Sequence, residues 1–170
     1  MKRNPKIIVV AVAALAMLFT FSNIAHAQTT GSKLGIGLNL GAPTDDAYSF
    51  AIGGDLRYQL DVDKQLSVPI TAGYTNFSIK DKFGGGSIGF IPVKAGLKYF
   101  FNPSGAGAYG LAEVGAGFGT SDGMGTAFVF SPAIGYAWSS GVDLAAKYEG
   151  YSKNGTAGYV GLRLAYGFKL

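Results

Sequence analysis

The chain has 170 residues, with 14 lysines and arginines against 10 aspartates and glutamates and no cysteine. The lack of cysteine excludes a disulfide scaffold and thiolate metal sites. Three of the basic residues, Lys2, Arg3 and Lys6, precede the first apolar run, so the rest of the chain carries eleven basic and ten acidic residues. A nearly neutral chain gives no reason to expect a nucleic-acid partner.

The first 27 residues predict a signal peptide for export. The three basic residues precede an apolar run, Ile7–Phe21, and Ala25-His26-Ala27 provides a cleavage site with small residues at its outer positions. The apolar run is shorter than the ~20 residues that a membrane-spanning helix needs. We therefore expect a single mature domain, residues 28–170, that starts at Gln28.

The mature segment holds all 27 glycines and most of the aromatic residues, a composition that disfavours helices and favours strands. Eight segments alternate apolar residues with small or polar ones, as strands between two different environments do. In chain order these segments are Lys33–Leu40, Ser49–Leu60, Leu66–Phe77, Ile88–Phe101, Ala106–Phe118, Phe128–Trp138, a run from Val142, and Val160–Leu170.

Two of the eight segments alternate imperfectly. In the third, the pattern changes phase near Phe77 and Ile79, which predicts a β-bulge close to the rim of the sheet. In the fifth, Tyr109 and Leu111 share one phase while Val114 and the apolar residues after it share the other, so we expect a kink at a glycine. The direction of Glu113 is left open by this pattern.

The connections predicted to be long alternate with short turns, and the long ones are residues 41–48, 80–86, 119–126 and 152–157. Aromatic residues gather near both ends of the predicted strands, as in the girdles of membrane barrels. Near the short turns and in the last strand they are Tyr58, Tyr99, Phe101, Tyr136, Trp138, Tyr166 and Phe168; near the long loops they are Tyr48, Phe50, Tyr74, Phe77 and Phe128.

These features predict an all-β protein, an eight-stranded antiparallel up-and-down transmembrane β-barrel that follows the signal peptide. Over residues 28–170 the sequence resembles the small outer-membrane barrels of Gram-negative bacteria, such as OmpX, the opacity-type barrels and the membrane domain of OmpA. The resemblance implies a location in outer-membrane lipid. It also implies that the final strand is recognised by the barrel-insertion machinery: Tyr166 and Phe168 match the family pattern, whereas Leu170 replaces the usual terminal phenylalanine.

Catalytic chemistry is not expected. The only histidine, His26, lies in the predicted signal peptide, and the barrel enzymes of the outer membrane use a histidine as general base. The acidic pairs Asp45-Asp46 and Asp61-x-Asp63 are too few in oxygen ligands for calcium and are interpreted as solvated loop charge. We therefore predict no enzyme, no metal site and no cofactor.

Charged residues also occur on the predicted inner face of the strands. An eight-stranded barrel is just wide enough for side chains to fill, so charges inside must pair. We predict a network that links Glu149 or Lys147 with Arg163, and Asp55 with Arg57 or a neighbouring lysine. The members are Asp55, Arg57, Lys94, Lys98, Asp143, Lys147, Glu149 and Arg163, with Lys169 facing the same way.

The resulting hypothesis is a barrel with a mainly structural or surface role, whose lumen is plugged by these polar side chains. One alternative is a narrow pore, opened when ion pairs change partners, or a barrel that transports small molecules. A second alternative is a soluble periplasmic barrel that binds a ligand inside, as lipocalins do. The second alternative requires an apolar inner face, whereas the predicted inner face is polar.

Overall fold

The computed structural model describes residues 31–121, 123–153 and 155–170. The predicted signal peptide, residues 1–27, lies outside the described residues. Eight antiparallel strands form a closed barrel in which each strand pairs with the next and the last pairs with the first. Their bounds are β1 Gly31–Pro43, β2 Tyr48–Asp61, β3 Leu66–Ile79, β4 Ser87–Phe100, β5 Gly107–Gly119, β6 Thr126–Ala137, β7 Val142–Ser152 and β8 Thr156–Lys169.

The predicted all-β, up-and-down architecture is confirmed. Pairing of β1 with β8, from Lys33 opposite Lys169 to Pro43 opposite Tyr159, closes the sheet. Closure leaves no strand edge unpaired, which is what a sheet surrounded by lipid requires. The described chain has one short 3₁₀ helix, Asp81–Phe83, and contains no helix that is long and apolar enough to cross a bilayer.

The predicted contrast between long and short connections is wrong. The strands extend into the segments assigned to loops: β1 continues to Pro43, β7 continues to Ser152, and β8 begins at Thr156. One rim then carries the connections 44–47, 80–86, 120–125 and 153–155, and we call it the loop rim. The other, the turn rim, carries 62–65, 101–106 and 138–141 together with Gly31 and Leu170. Backbone pairing across neighbouring strands extends further than side-chain alternation reveals.

The predicted kink in β5 is also wrong. Tyr109, Leu111 and Glu113 are all buried on the lumen side, while Ala112 and Val114 are exposed, so one phase runs through this part of the strand. The apparent change of phase arises because large apolar residues occupy lumen positions near the turn rim. In β3, Phe77 likewise keeps the inward phase, and the register irregularity lies between Tyr48 and Phe50 of the partner strand.

Candidate functional site

The lumen holds all eight charged residues that the sequence analysis assigned to it. They lie on β2, β4, β7 and β8 at inward positions, because alternate residues of a strand face the same side of a sheet. Each of them exposes less than a tenth of its surface: Asp55, Arg57, Lys94, Lys98, Asp143, Lys147, Glu149 and Arg163. Lys169, by contrast, is exposed at the turn rim.

Glu149 organises the part of the network nearest the loop rim. One of its carboxylate oxygens, Oε2, accepts hydrogen bonds from the ammonium groups of Lys94 and, at 2.9 Å, Lys147. The other oxygen, Oε1, accepts from the hydroxyls of Tyr151 at 2.7 Å and Thr75 at 3.2 Å. Two cations and two hydroxyls therefore compensate the loss of water around one carboxylate.

Glu113 binds the guanidinium group of Arg57 in the middle of the lumen. Its Oε2 lies 3.1 Å from Arg57 Nη2 and 3.7 Å from Lys94 Nζ. Its Oε1 accepts a hydrogen bond of 2.6 Å from Thr71, whose hydroxyl also accepts from Arg57 Nε at 3.1 Å. Lys94 thus stands between two carboxylates and joins them.

Arg163 binds Asp55 through two nitrogens of its guanidinium group. Nη2 donates to Asp55 Oδ1 at 2.6 Å, and Nε lies 3.0 Å from Oδ2. Asn39 donates to the same carboxylate at 2.7 Å and accepts from Lys147 at 3.1 Å, which connects this pair to Glu149. Two-pronged arginine–carboxylate pairs are strong and fix the orientation of both groups.

Asp143 binds Lys98 in the part of the lumen nearest the turn rim. Lys98 Nζ lies 2.7 Å from Oδ2 of Asp143, and the Tyr109 hydroxyl donates to Oδ1 at 2.6 Å. The ammonium group also lies 3.8 Å from the centroid of the Tyr109 ring, a favourable cation–π distance. Arg163 Nη1 is 3.8 Å from Asp143, so this pair is linked to the rest of the network.

The predicted partners within the network are not those observed. Arg163 binds Asp55 rather than Glu149 or Lys147, and Arg57 binds Glu113 rather than Asp55. The guanidinium of Arg163 crosses β1 over Gly37, where an added Cβ would lie 2.7 Å from Nη2. Long side chains on tilted strands thus reach past the neighbouring strand, and the glycine between makes room for them.

The sequence analysis missed members of the network as well. The direction of Glu113 was left open because Tyr109 and Leu111 share one phase while Val114 and the apolar residues after it share the other. Asn39 stands at an inward position of β1 and was not weighed, because its amide carries no charge. Tyr151 directly precedes the predicted loop 152–157, and Tyr159, whose hydroxyl lies 3.4 Å from Glu149 Oε1, stands at the start of the last predicted strand; neither was assigned to the lumen. Continued alternation through residues 143–151 and 157–165 was the signal that would have found both tyrosines.

The lumen network carries one more positive than negative charge. The buried ionic residues comprise five cations and four carboxylates. The five cations are Arg57, Lys94, Lys98, Lys147 and Arg163. No fully buried side-chain nitrogen or oxygen in the described part of the chain lacks a hydrogen-bond partner. The network is therefore fully bonded where it is sealed from water, although its charges do not cancel.

Aromatic side chains fill the lumen next to the loop rim. Phe77 is fully buried and contacts the rings of Phe90, Tyr151 and Tyr159 at centroid distances of 5.8 to 6.2 Å. Phe90 and Tyr151 stack at 4.5 Å. We call this group the aromatic seal; the buried residues around it are Ala51, Ala127 and Val129, with Tyr48, Ile88 and Met124 packed against them. The placement of Phe77 and Tyr48 in an outer girdle is thereby corrected.

A cavity of about 410 Å³ occupies the other end of the lumen, at the turn rim. We call it the vestibule. Small or polar residues such as Gly35, Gln59, Ser67 and Ala165 line its wall, and the network residues Arg57, Lys98, Asp143 and Arg163 line it as well. The barrel is thus open toward one rim as far as the charged network.

The exterior of the barrel is an apolar belt. Leu, Ile, Val and Phe side chains are exposed on the outward faces of the strands, among them Ile36, Leu56, Leu97, Ile134 and Leu162. Tyr99, Phe101, Tyr136, Trp138, Tyr166 and Phe168 form the predicted girdle near the turn rim, and all six are exposed. A soluble barrel would have to hold this surface in water, whereas a membrane barrel places it in lipid.

Comparison with solved structures identifies the fold. Ail, the attachment invasion locus protein of Yersinia pestis, solved in complex with the heparin analogue sucrose octasulfate, is 18% identical over 83% of this chain and 100% of its own, with a TM-score of 0.60. The N-terminal β-barrel domain of Pseudomonas aeruginosa OprF is 18% identical over the same fractions, with a TM-score of 0.55. The chain therefore has the fold of the small eight-stranded outer-membrane β-barrels.

A de novo designed transmembrane β-barrel matches the chain nearly as well, at 18% identity over 84% of the chain and 99% of the design, with a TM-score of 0.54. No protein-family model and no curated protein matches the chain. Because a designed barrel shares the fold, the architecture by itself selects no activity. Within the described residues, no group of three or more histidine, cysteine or acidic side chains is arranged to hold a metal ion.

Proposed function

We propose that this outer-membrane barrel has a structural, non-enzymatic role, with a lumen closed to solutes. The observation that supports closure most directly is the aromatic seal above a cross-linked charged network. Phe77, Val129 and Tyr159 expose at most 1% of their surfaces, so the loop half of the lumen is packed like a protein core. The mature segment contains neither histidine nor cysteine, the residues that most readily serve as base and nucleophile.

Electrophoresis of the membrane-extracted protein tests the barrel, and planar-bilayer recording tests its closure. We expect the protein in the outer-membrane fraction, with a gel mobility in SDS that changes on boiling because the closed sheet resists the detergent. In bilayers we expect no discrete conductance steps from the wild type. Steps of stable amplitude in the wild type would contradict closure and establish the narrow pore.

A pair of matched double variants locates the barrier. Phe90→Ala with Tyr151→Ala removes the stacked pair of the aromatic seal, and we expect water and ions to pass more readily through the loop half. Tyr136→Ala with Trp138→Ala removes a pair of similar size, 4.8 Å apart, from the exterior. We expect the exterior variant to stay closed. Equal conductance in the two variants would show that the seal is not the barrier.

We also propose that β8 is the strand recognised by the barrel-insertion machinery. Tyr166, Phe168 and Leu170 all face outward and are exposed, and the rings of Tyr166 and Phe168 lie 4.8 Å apart. The three side chains therefore form one apolar surface that another protein or lipid is able to contact. Its position beside the β1–β8 seam leaves it at the place where the barrel must close during assembly.

Tyr166→Ala with Phe168→Ala tests this role in two assays. We expect reduced accumulation in the outer membrane of cells, with unchanged refolding of the purified protein into lipid vesicles, because only assembly in cells uses the machinery. The exterior variant Tyr136→Ala with Trp138→Ala serves as the control for lost aromatic area. If both double variants assemble equally in cells, the two aromatic residues carry no recognition signal.

A further inference from the structure

The vestibule has features that neither a structural role nor a sealed lumen requires. It measures about 410 Å³, which is large enough for a small molecule, and it opens at the turn rim. Three cations of the lumen network, Arg57, Lys98 and Arg163, line this cavity, together with the carboxylate of Asp143 that is paired with Lys98. Each of the three is more than nine-tenths buried, so its head group is held by the barrel rather than free in solvent.

The two arginines retain side-chain N–H groups that make no hydrogen bond within the described part of the protein. Arg57 donates through Nε to Thr71 and through Nη2 to Glu113, and Arg163 donates through Nε and Nη2 to Asp55. Within the described residues, Nη1 of either arginine makes no hydrogen bond, the nearest carboxylate oxygen of Asp143 being 3.8 Å from Arg163 Nη1. Because no fully buried side-chain nitrogen of the described chain lacks a partner, neither Nη1 atom is fully buried, and both arginines line the vestibule.

The charge of the surroundings favours an anion. The buried network has five cations and four carboxylates, so one positive charge is not neutralised by the described side chains of the lumen. Closer to the rim, Asp61 is bonded to Lys33 at 2.8 Å and accepts a hydrogen bond from Gln59. Asp63 lines the same cavity, as do the exposed Lys64 and Lys169. A buried excess charge is costly unless an opposite charge approaches it.

We propose that the vestibule binds a small oxyanion of the phosphate or sulfate class at Arg57, Lys98 and Arg163. Guanidinium groups recognise such oxyanions through N–H donors, and the two Nη1 groups, neither of which makes a hydrogen bond to the residues that the structure describes, supply donors of that kind. The aromatic seal lies beyond the network, so the anion enters and leaves by the turn rim alone. The site therefore binds a ligand without conducting it across the membrane.

Titration of the isotope-labelled protein in detergent micelles with inorganic phosphate, followed by NMR, tests the site. Chloride replaces phosphate at each step so that ionic strength is constant. We expect saturable shifts of the Arg57 and Arg163 side-chain Nε–H signals and of backbone amides around the vestibule, with no change in the aromatic seal. The proposal would be overturned if the wild-type protein showed no shifts, shifts that do not saturate with phosphate concentration, or shifts confined to the loop rim.

A pair of matched variants tests whether the N–H donors of Arg57 contribute to the affinity for phosphate. Arg57→Gln with Glu113→Gln removes one donor together with its partner, so the network keeps its excess of one positive charge. We expect the dissociation constant for phosphate to rise about tenfold or more, as for loss of a charge-assisted contact. Lys82→Gln removes an exposed cation of the loop rim and is expected to leave the constant unchanged. Unchanged affinity in the double variant would contradict the assignment.

Discussion

The two halves of the lumen are built on the same strands but are filled in opposite ways. In the loop half, Phe77, Tyr151 and Tyr159 meet in the aromatic seal, and Glu149 lies directly beneath them. In the turn half, the same strands β3, β7 and β8 present Ser67, Ala145 and Ala165 at their inward positions. Large side chains fill the loop half, whereas in the turn half the small residues of these strands leave a cavity beside the buried pair Phe100 and Tyr109.

The difference shows that strand alternation assigns a side chain to the lumen but does not decide whether the lumen is full. An eight-stranded barrel has little spare width, so side-chain volume at each level determines whether water enters. The hydrogen bonding of the charged side chains also differs between the two halves. Glu149 is bonded to protein groups on both oxygens, whereas the guanidinium groups of Arg57 and Arg163 keep donors for the vestibule.

The largest expected effect comes from breaking the network under the seal. Glu149→Gln removes the carboxylate that Lys94 and Lys147 share. The two ammonium groups then remain close together in the closed half of the lumen. We expect the free energy of unfolding to fall by about 3–5 kcal/mol, the usual cost of removing one partner of a buried ion pair. Denaturant titration of the barrel in vesicles measures the loss through the fluorescence of the single tryptophan, Trp138.

Asp61→Asn is the matched control in the open half. Asp61 pairs with Lys33 at 2.8 Å, but water reaches both side chains at the turn rim. We therefore expect a loss of about 1 kcal/mol or less, since solvent screens the pair. Equal losses for the two variants would show that the seal does not isolate Glu149 from water.

A second expected effect comes from removing one ring in each half. Phe77→Ala opens a cavity among the rings of Tyr48, Phe90, Tyr151 and Tyr159, and we expect a loss of about 3–5 kcal/mol. Phe100 is also buried, but its ring contacts one other ring, Tyr109, and lines the vestibule, so for Phe100→Ala we expect the lower end of that range, about 3 kcal/mol. The same unfolding assay compares them, and a larger loss for Phe100→Ala would reverse the comparison.

The most local test compares water access to the two halves. The chain contains no cysteine, so a single thiol is introduced as Ala51→Cys in the seal or as Ala165→Cys on the vestibule wall. We expect a charged, water-soluble thiol reagent to modify the vestibule variant about a hundredfold faster, because a thiol must be both ionised and accessible to react. Mass spectrometry over time gives both rates, and similar rates would mean that the seal is permeable.

Sequence alternation predicted the barrel because its rule is local. On β8, Leu162, Leu164 and Tyr166 alternate with Arg163 and smaller residues, and this suffices to separate a lipid face from a lumen face. The same rule placed all eight charged residues inside. The rule failed for β5, because apolar residues near the turn rim face the lumen there. It also failed for the ends of β1, β3 and β8, because these strands remain paired with their neighbours beyond the last clearly alternating residue.

The sequence by itself determined the number of strands, the two environments of each strand and the presence of charge inside. Only the tertiary structure decided which charges pair, which end is sealed and where a cavity remains. Arg163 meets Asp55 because Gly37 leaves space across β1, and Glu113 meets Arg57 because closure brings β2 and β5 toward each other across the lumen. Alternation is a property of neighbouring residues, whereas these partners depend on strand tilt, closure and side-chain volume throughout the barrel.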